Sequence, residues 1–259
     1  MVGNIKHIIV IESLKEEDGI IYTGEALYND TIKRRIDLFE KDFKHKLHKV
    51  VSKEEFTEII KYYQENSPYM NGGIVLHFEI HGDEDLKGLI LSDGSLIIWG
   101  EIIELLRPIN IETCNKLFIT MGTCNGRFLY KGVDPYKKSP YSGYISASKT
   151  VEAEEIYIKF GKLFEELINN GNIVEAYNEM EKTESNFYYK DSKASFEEAF
   201  ETTMNDTNLQ EDILKDARAQ TKKATGYEPT EIESKLIHKK ALHNLFKRQY
   251  DAFDFTDCD

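Results

Sequence analysis

Cysteine, positive charge and long apolar runs are all scarce in this 259-residue chain. Three cysteines are too few, and odd in number, for a secreted disulfide scaffold, and no CxxC pair predicts structural zinc. The net charge of −13 opposes binding to a phosphate backbone, so we expect no nucleic-acid partner. Apolar runs such as Ile8 to Ile11 are far shorter than the ~20 residues of a membrane span, so we expect no membrane segment. The N-terminus lacks a basic segment followed by a long apolar stretch, and we therefore expect a cytoplasmic protein.

Short apolar runs alternate with amphipathic segments through the first two thirds of the chain. Apolar residues make up 41% of the sequence and charged residues 31%, which is typical of a folded globular protein. The predicted strands are 5–14, 46–51, 74–80, 115–121 and 144–148, with a hairpin over 89–98 marked by Asp-Gly. The predicted helices are 30–43, 52–63, 99–106, 154–168 and 173–182. This order predicts an α/β fold with a mainly parallel sheet flanked by helices.

The last third of the chain has a different character. Residues 183–195 are polar and aromatic without clear periodicity, and we interpret them as a linker. Helices are predicted over about 196–203, 208–224 and 230–253. We therefore expect a domain over residues 1–182, and a linker with a C-terminal helical appendage over residues 183–259.

Two predicted core strands end in residues whose side chains could take part in catalysis. One ends in His81-Gly82, and the next long strand runs into Gly122-Thr123-Cys124-Asn125-Gly126. In open parallel sheets, ligands sit at the carboxyl ends of the strands, so neighbouring strands would bring both segments to one crevice.

A cysteine beside a histidine in such a crevice is suited to nucleophilic catalysis. A thiol attacks a peptide carbonyl as thiolate, and an imidazole promotes that form and later protonates the leaving amine. Backbone amides next to small residues can approach the oxyanion closely, and the amides of Gly82 and Cys124 are the candidates.

The order of these segments resembles the caspase-like superfamily of cysteine peptidases (clan CD), including the bacterial CHAT peptidases. An apolar strand ends in His-Gly, a helix follows, and a second apolar strand leads to Cys and small residues; the similarity covers about residues 5–182. The resemblance implies a caspase-like, Rossmann-like fold and a His81–Cys124 dyad with no metal or organic cofactor. It also implies that residues Ser146, Ala147 and Ser148 line the primary substrate pocket.

The same resemblance predicts a thiol protease that hydrolyses a protein or peptide substrate. Its bacterial relatives often act in regulatory or defence pathways, so we expect control by a partner or ligand, with the C-terminal helices as the place for it. Specificity does not carry over. Members that cleave after arginine or lysine often have an aspartate two residues before the cysteine, where this chain has Gly122. The motif around the cysteine of animal caspases is also absent, so cleavage after aspartate has no support either.

Two other readings stay open at the level of sequence. A strand would project His77, Glu79 and His81 to one face, and with Cys124 they could hold a transition metal in a metal-dependent hydrolase. For His77 and Glu79 themselves, packing or a local hydrogen bond is the simpler expectation. The other reading is a catalytically silent caspase-like adaptor that acts through its helical region. Acidic residues that flank the proposed cleft would favour a cationic substrate segment, whereas solvated surface is the simpler expectation for most of them; they are Asp83, Glu84, Asp85, Asp93, Glu152 and Glu154.

Overall fold

A computed structural model describes residues 3–15, 23–134, 137–182 and 185–255. The chain divides into two compact units, one built mainly from the residues up to 133 and from 139 to 191, and the other mainly from residues 192–254. The first unit is an α/β fold, as the sequence predicts, and the second is helical.

The sheet of the first unit is mostly parallel. Its strands are β1 (Ile5–Ser13), β2 (Lys44–Lys49), β3 (Gly73–Gly82), β4 (Gly88–Ile90), β5 (Leu96–Ile98), β6 (Leu117–Met121), β7 (Gly143–Ala147) and β8 (Phe187–Asp191). Six of them lie in the order β2-β1-β3-β6-β7-β8, and all six are parallel except β8, which runs antiparallel to β7. The β4–β5 hairpin extends from the end of β3, with Gly94 at φ +90° in the predicted Asp-Gly turn.

Helices cover both faces of this sheet. They are α1 (Thr23–Ala26), which continues through a π-helical stretch (Leu27–Lys33) into α2 (Arg34–Leu38), then α3 (Lys53–Asn66), α4 (Trp99–Glu112), α5 (Ala153–Asn170) and α6 (Ile173–Glu181). Two short 3-10 turns lie at Ser67–Tyr69 and Gly126–Gly132. Helix α3 begins at the predicted cap, where the Ser52 hydroxyl accepts from the Glu55 amide at 3.2 Å.

Alternation along β3 separates two hydrophobic cores. Ile74, Leu76, Phe78 and Ile80 pack with α3 and α4 on one face of the sheet. Val75 packs with α5 and α6 on the other face. Because successive strand residues point to opposite faces, His77, Glu79 and His81 share the α5 face with Val75.

The second unit consists of α7 (Ser192–Asn205), α8 (Thr207–Thr225) and α9 (Glu231–Ala252). Helix α9 starts with a capping box in which Thr230 and Glu233 exchange hydrogen bonds, at 2.9 and 3.3 Å. None of the helices in the described part of the chain combines the length and the apolar character that spanning a membrane requires.

Several boundaries differ from the predictions. Strand β8 lies inside the expected linker, and α4 continues past Pro108 to Glu112 although the prediction ended it at residue 106. Strand β2 starts and ends two residues earlier than predicted, at Lys44 and Lys49. The helix predicted over 30–43 begins at Thr23 and ends at Leu38.

Candidate active site

His81 and Gly82 are the last two residues of β3. His81 is exposed and pairs with Ile90 of the antiparallel strand β4. The apolar residues before it are buried on both faces of the sheet, so packing fixes the strand up to the point where the imidazole emerges.

Cys124 lies in the loop that follows β6, and this loop is anchored to β3. The Gly122 amide donates to the Phe78 carbonyl at 2.9 Å, and the Thr123 hydroxyl donates to the Ile80 carbonyl at 2.8 Å. Cys124 is a free, half-buried cysteine that packs against the core on the α5 face. It therefore lies on the same face of the sheet as the side chain of His81.

The structure brings the histidine and cysteine segments into backbone contact. A Cβ built on Gly82 would lie 2.1 Å from the carbonyl oxygen of Cys124. The register agrees, because Phe78 is paired with Met121, the last residue of β6, and His81 and Cys124 each follow this pair by three residues. Both residues therefore lie where these two adjacent strands end, at the carboxyl edge of the sheet.

The Gly82 amide points to the cysteine side. On the β4 side, the Asp83 amide donates to the Gly88 carbonyl at 3.0 Å. Because amide directions alternate along a strand, the Gly82 amide is directed the other way, to the edge that faces β6 and the Cys124 loop. The oxyanion role of this amide stays a prediction.

The three predicted pocket residues lie at the carboxyl end of β7 and directly after it. Ser146 is buried on the face of Met121, and its Cβ is 3.1 Å from the Cβ position of Gly126, just beyond Cys124. Ala147 packs on the opposite face, in the core that Cys124 also contacts. Ser148 follows the strand and is half-buried. Their contact with a substrate stays a prediction.

Below His81, a chain of buried hydrogen bonds runs across the α5 face. His77 Nδ1 lies 2.8 Å from the Thr120 hydroxyl, and His77 Nε2 lies 2.8 Å from Glu79 Oε1. The Thr23 hydroxyl of α1 donates to Glu79 Oε2 at 2.7 Å. The His77 ring packs against two phenylalanines of α5, with centroid separations of 4.7 and 5.2 Å. The local hydrogen bond expected for His77 and Glu79 is confirmed.

These contacts oppose the metal reading. Both ring nitrogens of His77 are engaged by protein side chains, so neither is directed to an open coordination position. Within the described ranges, no group of three or more histidine, cysteine, aspartate or glutamate side chains is placed to hold a metal ion.

Glu12 is a functional candidate that the sequence analysis did not single out. It is paired with Glu79 across β1 and β3, and both side chains are almost completely buried, at 2% and 1% exposure. Burial raises the pKa of the Glu12 carboxyl. The Glu25 amide that donates to it and the charge of Lys49, 3.9 Å from Oε1, act against this rise, and the neighbouring Glu79 charge adds to it. The available signal was a carboxylate directly after four apolar strand residues, Ile8 to Ile11.

Comparisons with known proteins add no assignment to this geometry. No protein-family model matches the chain, and a search of curated proteins finds no similar sequence. The arrangement of the residues at this sheet edge is therefore the basis for assigning a function to the chain.

Proposed function

We propose that the chain is a cysteine peptidase in which Cys124 is the nucleophile and His81 is the general base and acid. The observation that carries the proposal is the contact between Gly82 and the Cys124 carbonyl, supported by the pairing of Phe78 with Met121 on the two strands that lead to His81 and Cys124. A thiol and an imidazole that follow adjacent strands at the carboxyl edge of a parallel sheet support a role in nucleophilic catalysis.

The proposed reaction has two steps. The Cys124 thiolate adds to the carbonyl carbon of the substrate peptide bond, and the oxyanion accepts hydrogen bonds from the amides of Gly82 and Cys124. His81 carries the thiol proton to the leaving amine as the C–N bond breaks, which leaves a thioester on Cys124. Water, deprotonated by His81, then adds to the thioester carbonyl, and the C–S bond breaks. The acid product leaves, and His81 returns the proton to the Cys124 sulfur.

We assign a protein or peptide as substrate, the cytoplasm as location, and control by a regulatory partner through α7, α8 and α9. The proposed dyad supports the substrate class. The location is the one expected from the sequence, and the control follows from the sequence resemblance. The adaptor reading predicts the same fold with no turnover, and the experiment below separates the two.

The test is cleavage of a peptide library by the full chain, with cut sites read by mass spectrometry. Cys124→Ala and His81→Ala should each abolish cleavage. His7→Ala is the matched control, because His7 lies near the start of β1, at the opposite edge of the sheet. It should cut at the wild-type rate. Cleavage that persists in Cys124→Ala would refute the peptidase. If neither the wild type nor any of the three variants cleaves a peptide, the peptidase is refuted and the adaptor is favoured.

A further inference from the structure

Helix α9 carries an exposed row of side chains along one face, which we call the α9 stripe. Its members follow one another at alternating intervals of four and three residues; they are Ile232, Leu236, Lys239, His243, Phe246 and Tyr250. The four apolar members are 81%, 69%, 42% and 65% exposed, in that order. The stripe extends over about 27 Å of helix. Contiguous exposed apolar side chains of this kind mark an interaction surface.

The α9 stripe is separate from the face of α9 that packs in the helical unit. Ser234 is buried, and His238 and Leu242, which follow it at intervals of four, are half-buried. All three line cavities that Leu214 of α8 also lines, so this face is directed to α8. Two residues turn a helix by about 200°, and the stripe members two residues before and after Ser234 therefore point away from α8.

The spacing of the α9 stripe indicates that its partner is a helix. Intervals of four and three average 3.5 residues, which is the repeat of a coiled-coil seam. A seam of this kind is buried when a second helix inserts its own side chains between those of the first. An extended strand has a period of two residues and does not match it.

The centre and the flanks of the α9 stripe are positively charged. Lys239 and His243 are its two central members, and the charged residues at the flanking positions are Lys235, Lys240, Lys247 and Glu233. Lys235 pairs with Glu231 of its own helix at 2.7 Å. The other three lysines are exposed and form no ion pair with any residue that the structure describes. In a chain of net charge −13, this face has the opposite sign.

These charges oppose pairing of the stripe with a second copy of itself. The stripe is symmetrical about its centre, so an antiparallel copy would match the apolar ends but set Lys239 against His243. A parallel copy would set Lys239 against the same lysine. Either arrangement buries an ammonium without a counter-charge, which costs free energy. Carboxylates from a different helix would supply that counter-charge.

We infer that the α9 stripe binds an acidic amphipathic helix of a partner protein, with apolar side chains at heptad spacing and carboxylates opposite Lys239 and His243. The inference goes beyond the proposed peptidase and does not depend on it, because an adaptor would use the same face. An anionic membrane fits less well. A helix that lies on a membrane needs a continuous apolar face, which the two central cations interrupt, and anionic lipids repel a chain of charge −13.

The experiment measures binding of two labelled synthetic peptides to the full chain by fluorescence anisotropy. Each peptide has about three heptads with leucine at the core positions. One carries glutamate at the two central core positions and at the flanking positions, and the other carries lysine at the same places. We expect the glutamate peptide to bind at least about tenfold more tightly than the lysine peptide, and to bind more weakly as salt is raised.

Variants of the chain locate the binding face. Leu236→Asp and Lys239→Glu should each weaken binding of the glutamate peptide about tenfold or more. Ile237→Asp is the matched control for the first, because Ile237 is also exposed on α9, at 57%, but lies outside the stripe. Lys61→Glu is the control for net charge, because Lys61 is an exposed residue of α3 in the first unit. Both controls should bind as the wild type does, and circular dichroism checks that all four variants keep their helices.

Several results would overturn the inference. They are equal binding of the two peptides, no binding of the glutamate peptide, and an equal loss of binding in Leu236→Asp and Ile237→Asp. Sedimentation velocity tests the second copy as occupant: a wild-type dimer that Leu236→Asp dissociates would assign the stripe to self-association instead. Vesicles of phosphatidylserine and phosphatidylcholine test the membrane, and vesicle binding that Leu236→Asp abolishes would assign the stripe to lipid.

Discussion

Replacing Gly82 with alanine tests the contact on which the proposed site depends. The added Cβ would lie 2.1 Å from the Cys124 carbonyl oxygen and 3.1 Å from its carbonyl carbon. Both are backbone atoms, so no side-chain rotation can relieve the overlap. The substitution keeps the Gly82 amide, and any loss of function therefore reports on displacement of the Cys124 loop.

The size of the effect follows from the overlap. Contacts of Cβ below 3.0 Å are essentially never seen, so β3 and the cysteine loop must separate by about 1 Å. Inserting a methyl group into a tight contact costs about 1–3 kcal/mol of unfolding free energy. A displacement of about 1 Å at a catalytic group can lower the rate about 100-fold.

Two measurements would detect these changes. Urea denaturation gives the unfolding free energy, and the rate of iodoacetamide alkylation at Cys124, mapped by peptide mass spectrometry, reports the environment of the thiol without a substrate. Gly100→Ala is the control, since Gly100 is in the first turn of α4 and a Cβ there meets nothing within 4 Å. It should be neutral, or stabilising by up to about 1 kcal/mol. Wild-type stability and wild-type alkylation in Gly82→Ala would refute the reasoning.

Two further predictions concern stability. Folding raises the pKa of the Glu12 carboxyl through burial, so its contribution to stability is fully present below the unfolded pKa and is lost as the pH rises through the folded one. Glu12→Gln should therefore stabilise the protein at pH 8, by about 1 kcal/mol or more, and give no gain at pH 4, as read from thermal melts at both pH values; an equal change at the two pH values would contradict this. Ser52→Ala removes the hydroxyl that accepts from the Glu55 amide at the start of α3 and should cost about 0.5–2 kcal/mol in urea denaturation, whereas Ser52→Asp, which keeps an acceptor, should cost less. Equal losses in the two variants would show that the cap contributes little.

The main strands were predictable because their signal is local. β1, β3 and β6 are buried on both faces and read as continuous apolar runs, which a parallel sheet requires. Their predicted ends also located the histidine and cysteine segments, since a strand ends where the apolar run ends.

The wrong boundaries come from residues whose local preference was overridden by packing. Pro108 predicts the end of a helix, yet α4 continues to Glu112, and Ile109 is fully buried in the core. Phe187–Asp191 shows no strong strand pattern, yet it pairs along the whole of β7 as an edge strand. Edge strands have a weak sequence signal because one edge and part of one face stay exposed.

The sequence by itself determined which segments are strands, where the candidate nucleophile and base fall, and that both follow core strands. Only the tertiary structure decided which residues are level with one another, because register depends on how strands from distant parts of the chain pair. It set Gly82 against Cys124, and it placed Glu12 beside Glu79 although 66 residues of sequence lie between them. The pair of buried carboxylates has no signature along the chain, since the apolar run before Glu12 does not indicate which residue of another strand lies beside it.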